Sequence, residues 1–238
     1  MPRRRTELRT IVALAVLAAL AGCGMSESSR STSETRVKNL VVSDLFNSLL
    51  GRTGPGGGII FYVGLRDNPP PNSIGAVLVA MEALSLESDF ANVETAKLPT
   101  WGCGTTAIPE AHNEAVGAGA NNTEIVAAAC GEQNIWARRA LDLRKNGRSD
   151  WFLPSIGELH QLCLFKHRQT GDVTTPCNVT RGQRAGTGVL RDRVWSSNEG
   201  NWNYAKAYDF TTGGTPGVAK NSTGASAIVV RAFSPVSN

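Results

Sequence analysis

The sequence predicts an α+β domain of antiparallel strands with two to three helices, stabilised by disulfides. Helical patterns fill the middle of the chain, from about Asn121 to His167, and β-branched or aromatic runs stand on both sides of them. Four cysteines follow an export signal, an even number in an oxidising compartment. The stretch Asp150–His160, DWFLPSIGELH, reads as a short apolar strand that Pro154 ends. A helix follows, with Ser155 as its N-cap and Glu158 three residues later as the other half of a capping box. Glu158 is thus already employed as a cap, which makes this stretch a fold-building turn rather than a catalytic one.

The chain opens with the cationic MPRRRTELRT and the apolar run IVALAVLAALA, too short to span a membrane and of signal-peptide length. The run ends in Leu20-Ala21-Gly22-Cys23, small residues before a cysteine, which resembles the lipobox of bacterial lipoproteins. That resemblance implies removal of residues 1–22 and acylation of Cys23. A membrane anchor on the cell envelope follows, since acyl chains contribute about 0.8 kcal/mol per buried methylene. Arg3, Arg4, Arg5 and Arg9 against Glu7 carry most of the formal charge of +4. The processed chain is close to neutral, has no basic stripe with interleaved aromatics, and is not expected to bind nucleic acid.

Residues 23–54 read as a lipid-anchored flexible tether. GMSESSRSTSETR is too polar to offset the cost of ordering its backbone, whereas VKNLVVSDLFNSLLG is either stalk or a short helix packed on the domain. The domain itself is assigned to 55–238. GPGGGIIFYVGL reads as a glycine-rich turn feeding a strand; without Gly-Lys-Ser/Thr it is not a phosphate loop. GAVLVAME is a second strand. A helix is expected from Asn121 as cap with Glu124 at N3, and another over IWARRALDLRKNG, stopped by Asn146-Gly147. RVWSS, YAKAYDF and ASAIVVRAF complete the strands, with Arg231 expected to point away from the core.

With Cys23 acylated, Cys103, Cys130, Cys163 and Cys177 remain to pair. The sequence-local pairing, Cys103–Cys130 and Cys163–Cys177, is favoured because each bridge would tie a helix to irregular chain. The alternative is a zinc site on one helix face, His160, Cys163 and His167 with Cys177 as fourth ligand.

GGGIIFYV, the WGC at 101–103, the helix with Cys130, LDLRKNGRSDWFLPSIGEL, VWSSNE and the closing VVRAF together resemble the Lcl C-terminal domain family, over roughly residues 55 to 235. The resemblance implies a C-type-lectin-like fold with N- and C-terminal strands in one sheet, flanking helices, and a long loop region suited to binding. Sugar-binding C-type lectins commonly use Glu-Pro-Asn and Trp-Asn-Asp motifs around calcium. This chain has Glu199-Gly200-Asn201 and Trp202-Asn203-Tyr204, each departing at one position. Calcium is therefore a possible cofactor, with Glu199, Asn201, Asn203 and Asp209 as candidate ligands through carboxylate and amide oxygens.

Three functions compete. The first is a binding module, in which Asn198, Glu199, Asn201, Trp202, Asn203 and Tyr204 contact a glycan or protein ligand in adhesion, with ring faces beside amides. A polar surface loop with Trp202 packed inward is its plain alternative. The second is an enzyme, for which no nucleophile elbow, HExxH or Ser-His-Asp spacing is present; a formylglycine-generating-type oxidase would need Cys163 and Cys177 as reactive thiols. The third is a structural envelope protein that takes no small ligand.

Overall fold

The computed structural model describes residues 48–66, 77–85, 98–182 and 192–235. Cys23 and the stretch that reads as a lipobox lie outside them. Among the described residues six strands form two antiparallel sheets: β1 (Ile59–Arg66), β2 (Val77–Ser85) and β6 (Ile228–Phe233) in one, β3 (Arg193–Glu199), β4 (Tyr204–Asp209) and β5 (Gly217–Ala219) in the other. Between the first two strands and the second sheet come a 3-10 turn (Pro109–His112) and three helices, α1 (Gly119–Ala129), α2 (Trp136–Asp142) and α3 (Ile156–Lys166). The fold is thus α+β. The first and last strands share a sheet, with β2 between them.

Both faces of the central chain are buried, in two different clusters. Trp151 and Leu153 enter one core with Trp101, Ile135, Trp195 and Val229. Phe152, pointing the other way, enters a second with Leu159, Leu162, Phe165, Tyr208 and Val230. Period-two alternation along three residues therefore couples the cores. Phe152 and Val230 exchange both backbone hydrogen bonds, each 2.9 Å, which fixes this short segment against β6.

Pro154 then gives way to Ser155 in extended conformation, and α3 begins with the reciprocal cap. Ser155 Oγ accepts from Glu158 N at 3.2 Å, and Glu158 Oε2 accepts from Ser155 N at 2.7 Å. The other Glu158 oxygen accepts from Gly117 N at 2.8 Å, so the box also holds the loop that precedes α1. The disulfides are Cys103–Cys130 and Cys163–Cys177, closing separations of 27 and 14 residues.

Several expectations are corrected. α1 starts at Gly119 with Ala118 as its cap position, so Asn121 and Glu124 are interior. The reason is tertiary: a Cβ at Gly119 would lie 2.3 Å from Glu158 Oε2 and 2.7 Å from Leu153 O, and that fit sets where the helix enters. α2 stops at Asp142, and Asn146-Gly147 instead forms a separate turn. Leu49 and Leu50 pack against the Ile60–Val63–Ala80 cluster, and Gly51 N donates to Ile60 O at 2.8 Å, so the domain begins before residue 55.

Arg231 does not face solvent. It is 4 % exposed, donates from Nη1 to Glu82 Oε1 at 2.8 Å, and grips Asp150 with Nε and Nη2 at 2.7 and 2.8 Å. Glu82, fully buried, accepts in addition from Gly56 N and Gly58 N at 2.8 and 2.9 Å. A buried charge thus organises the glycine-rich turn, a role that requires the bound partners around it. Among the described residues no helix is long and apolar enough to cross a membrane.

Candidate functional site

The second sheet presents the residues singled out by the lectin-like motifs, but divides them. Asn198 is fully buried: its Oδ1 accepts from Ile156 N at 2.8 Å and its Nδ2 donates to Asn113 O at 2.8 Å. Both ends of the amide are used, one joining β3 to the start of α3 and the other holding the loop that follows the 3-10 turn. As a ligand contact Asn198 is therefore corrected to a framework residue.

Glu199 is equally committed. Its Oε1 accepts from Ile108 N at 2.7 Å and is ion-paired to Lys220, while Oε2 lies 3.1 Å from His112 Nε2. Lys220, with no exposed surface, also donates to Thr106 O at 2.6 Å and stands 5.2 Å above the Trp101 ring. Glu199 holds the 103–112 loop onto the sheet. It is not available to a soluble ligand.

The turn between β3 and β4 is closed locally. Gly200 N and Asn201 N donate to Tyr204 O at 2.9 Å, and Asn201 Oδ1 accepts from Asn203 N and Tyr204 N at 2.9 Å. The asparagine side chain thus replaces a backbone turn partner. Lys220 N donates to Asn203 O at 3.1 Å, so β5 also supports the turn.

On this braced turn stand two aromatic side chains in water. Trp202 is 58 % exposed and Tyr204 43 %, whereas Trp101, Trp151 and Trp195 are buried to within 1 %. The inward packing of Trp202 is thereby excluded. Tyr204 lies along β5: a Cβ at Gly217 would be 3.5 and 3.8 Å from its Cβ and Cγ, so the absent side chain leaves the ring a flat floor. Lys206, two residues on along the same face, is ion-paired to Glu114. The turn thus exposes two rings two residues apart in sequence, with one charged pair farther along β4.

Asp209 belongs elsewhere. It closes the other end of β4, about 17 Å from Tyr204 at strand rise, opposite Arg193. Burial alone would raise its carboxyl, but hydrogen bonds from Thr211, Arg193 and Thr212 hold it below the usual range. With Arg193 it borders a cavity of about 560 Å³ that Pro99, Asp192 and Ser226 also line. The proposed calcium set is consequently corrected: Glu199 is spent on Lys220, Asn201 on its own turn, and Asp209 lies at the far end of the strand.

The zinc alternative falls for a similar reason. Cys163 and Cys177 are bonded to each other, His160 contacts Tyr208 Oη at 3.0 Å and Thr175 O at 2.7 Å, and His167 Nδ1 reaches Arg181 O at 2.9 Å. Among the described residues, the one cluster with metal-ligand atoms in reach is Cys103, Cys130 and Glu132, and its thiols are also in a disulfide. The nominated Cys163 and Cys177 carry no free thiol for oxidase chemistry. No family model, curated protein or solved structure matches this chain.

Sequence reasoning missed Lys220, His112 and Glu82. The only local signal was the isolation of a lysine between short strands, which says nothing of a partner 21 residues away.

Proposed function

We propose that this protein is a lipid-anchored binding module of the bacterial cell envelope, which recognises a glycan through Trp202 and Tyr204 on a C-type-lectin-like domain. The observation that carries the reading is the exposure of these two rings on a turn braced by backbone and Asn201 side-chain hydrogen bonds. Exposed tryptophan is uncommon unless a partner covers it, and a rigid ring surrenders little conformational entropy on contact. Sugar rings offer an apolar face and a polar rim. Trp202 and Tyr204 would take the face, with Asn203, Lys206 and Glu114 placed beside them for hydroxyl groups.

Binding by this patch is independent of calcium, because the oxygen ligands proposed for the ion are separated or already bonded. The lipobox and the two disulfides support envelope placement, since disulfides persist in oxidising compartments. A glycan-array screen of residues 24–238, run with calcium and with chelator, tests the reading. Binding equal under both conditions and lost in Trp202→Ala is expected; binding that needs calcium, or that Trp202→Ala retains, refutes it. Anchoring is tested separately by palmitate labelling of the full chain and of Cys23→Ser.

A further inference from the structure

The turn after α2 carries cations that the proposed glycan site leaves unused. Residues 144–148 read RKNGR, and Arg144, Lys145 and Arg148 are exposed. Asn146 and Gly147 have φ of 51° and 71°, and Lys145 and Arg148 exchange both backbone hydrogen bonds, 3.0 and 2.9 Å. This is a two-residue hairpin with positive φ at both central positions, for which Asn-Gly is the preferred pair. It sets Lys145 directly opposite Arg148, where like charges repel.

Among the described residues none of the three cations enters an ion pair. Arg144 donates to Leu141 O and Leu143 O, at 2.9 and 3.1 Å. Arg148 helps to lower the Asp150 carboxyl, but the grip on that carboxylate is Arg231's. Among the described residues the hairpin therefore holds three positive charges with no ion-paired carboxylate, the nearest influence being the Asp150 carboxyl that Arg231 already grips.

Its position in the fold indicates what it faces. Asn146 Nδ2 donates to Gly56 O at 2.9 Å, and a Cβ on Gly57 would lie 2.2 Å from the same nitrogen, so the hairpin is seated directly on the Gly54–Gly58 turn. That turn stands where the chain enters the domain, just after the exposed Arg52. Residues 24–47 lie between Cys23 and the first described residue, a length that reaches at most ~90 Å in any conformation.

We infer that the Arg144–Arg148 hairpin docks the domain on anionic lipid headgroups of the membrane that anchors it, with Lys145 and Arg148 as the main contacts. The inference rests on the anchoring half of the proposed function and not on the glycan site. A phosphate between Lys145 and Arg148 relieves their repulsion, and the tether keeps the domain at high local concentration over the bilayer. Each cation near an anionic surface contributes about a fivefold factor to binding.

The test is co-sedimentation of residues 24–238 with vesicles of phosphatidylcholine alone and of phosphatidylcholine with phosphatidylglycerol, in low salt. All described disulfides and core residues lie within 48–235, so the deletion removes none of them. The chain is expected to prefer the anionic vesicles, Lys145→Gln/Arg148→Gln to lose roughly thirtyfold in partitioning, and added salt to abolish it. Arg168→Gln/Arg181→Gln, which removes the same charge from exposed positions outside the hairpin, should change little, because neither residue belongs to the surface set against the headgroups. Equal partitioning to both vesicles, no binding to either, or equal losses in both variants would overturn the inference. None of these results touches palmitate labelling of Cys23 or glycan binding, so the separate readings fail separately.

Discussion

Lys220 and Glu199 form an ion pair in which neither side chain exposes more than 2 % of its surface. The pair connects β5 to the end of β3, and through Ile108 N and His112 it also fixes the loop closed by Cys103–Cys130. Removing one partner leaves the other charge buried, which typically costs about 3–5 kcal/mol. Lys220→Met is thus expected to lower the urea midpoint steeply. An unchanged midpoint would mean that the pair does not brace the binding turn.

Ser155 supplies the cap of α3 and donates through its hydroxyl to Ala115 O at 2.8 Å. Ser155→Ala should cost about 1 kcal/mol for the cap, and more if Ala115 O is left unpaired. Equilibrium unfolding checks this, with Ser155→Thr expected to recover part of the loss. A variant as stable as the parent would show the box to be incidental.

The pH profile should carry the mark of Glu158. Burial pushes its carboxyl from 4.5 up to about 7, against the pull of hydrogen bonds from Ser155 and Gly117 backbone groups. Between those values the folded chain keeps a proton that the unfolded chain releases. Stability therefore falls as pH rises from about 4.5 to about 7, by about 3 kcal/mol, and levels off above. Asp150 acts in the opposite sense: the Arg231 hydrogen bond holds its carboxyl below 3.8, so its contribution is present above that pH and lost in stronger acid. Denaturation at pH 5 and pH 8 should show greater stability at pH 5. In Glu158→Gln that difference should disappear.

Each disulfide should be separately stabilising, by about 3 kcal/mol for loops of 27 and 14 residues. Cys163→Ala/Cys177→Ala is expected to lower the midpoint while leaving Trp202 and Tyr204 in place, because it detaches the 170–182 loop from α3 rather than the β3–β4 turn. Loss of glycan binding at a temperature where this variant is folded would contradict that separation.

The capping box, the sequence-local disulfides and the strands were legible because their signals are local: a Ser-x-x-Glu spacing, short cysteine separations and β-branched runs. Arg231 was misread for a definite reason. Alternation assigns a face but not an occupant, and this face holds Glu82, 149 residues away. Asn198 and Glu199 looked like loop ligands for the same reason, since amide and carboxylate groups suit a buried framework as well as a sugar. What separated Trp202 from them was exposure, which depends on the whole packed chain.

The most direct measurement exploits that exposure without changing the sequence. Limited oxidation of indole rings should modify Trp202 first, because Trp101, Trp136, Trp151 and Trp195 are at most 5 % exposed. The account predicts a one-oxygen mass increase confined to the Trp202 peptide, with loss of glycan-array binding of about thirtyfold or more, the scale of a buried aromatic anchor. Full binding after complete modification of Trp202 would contradict it.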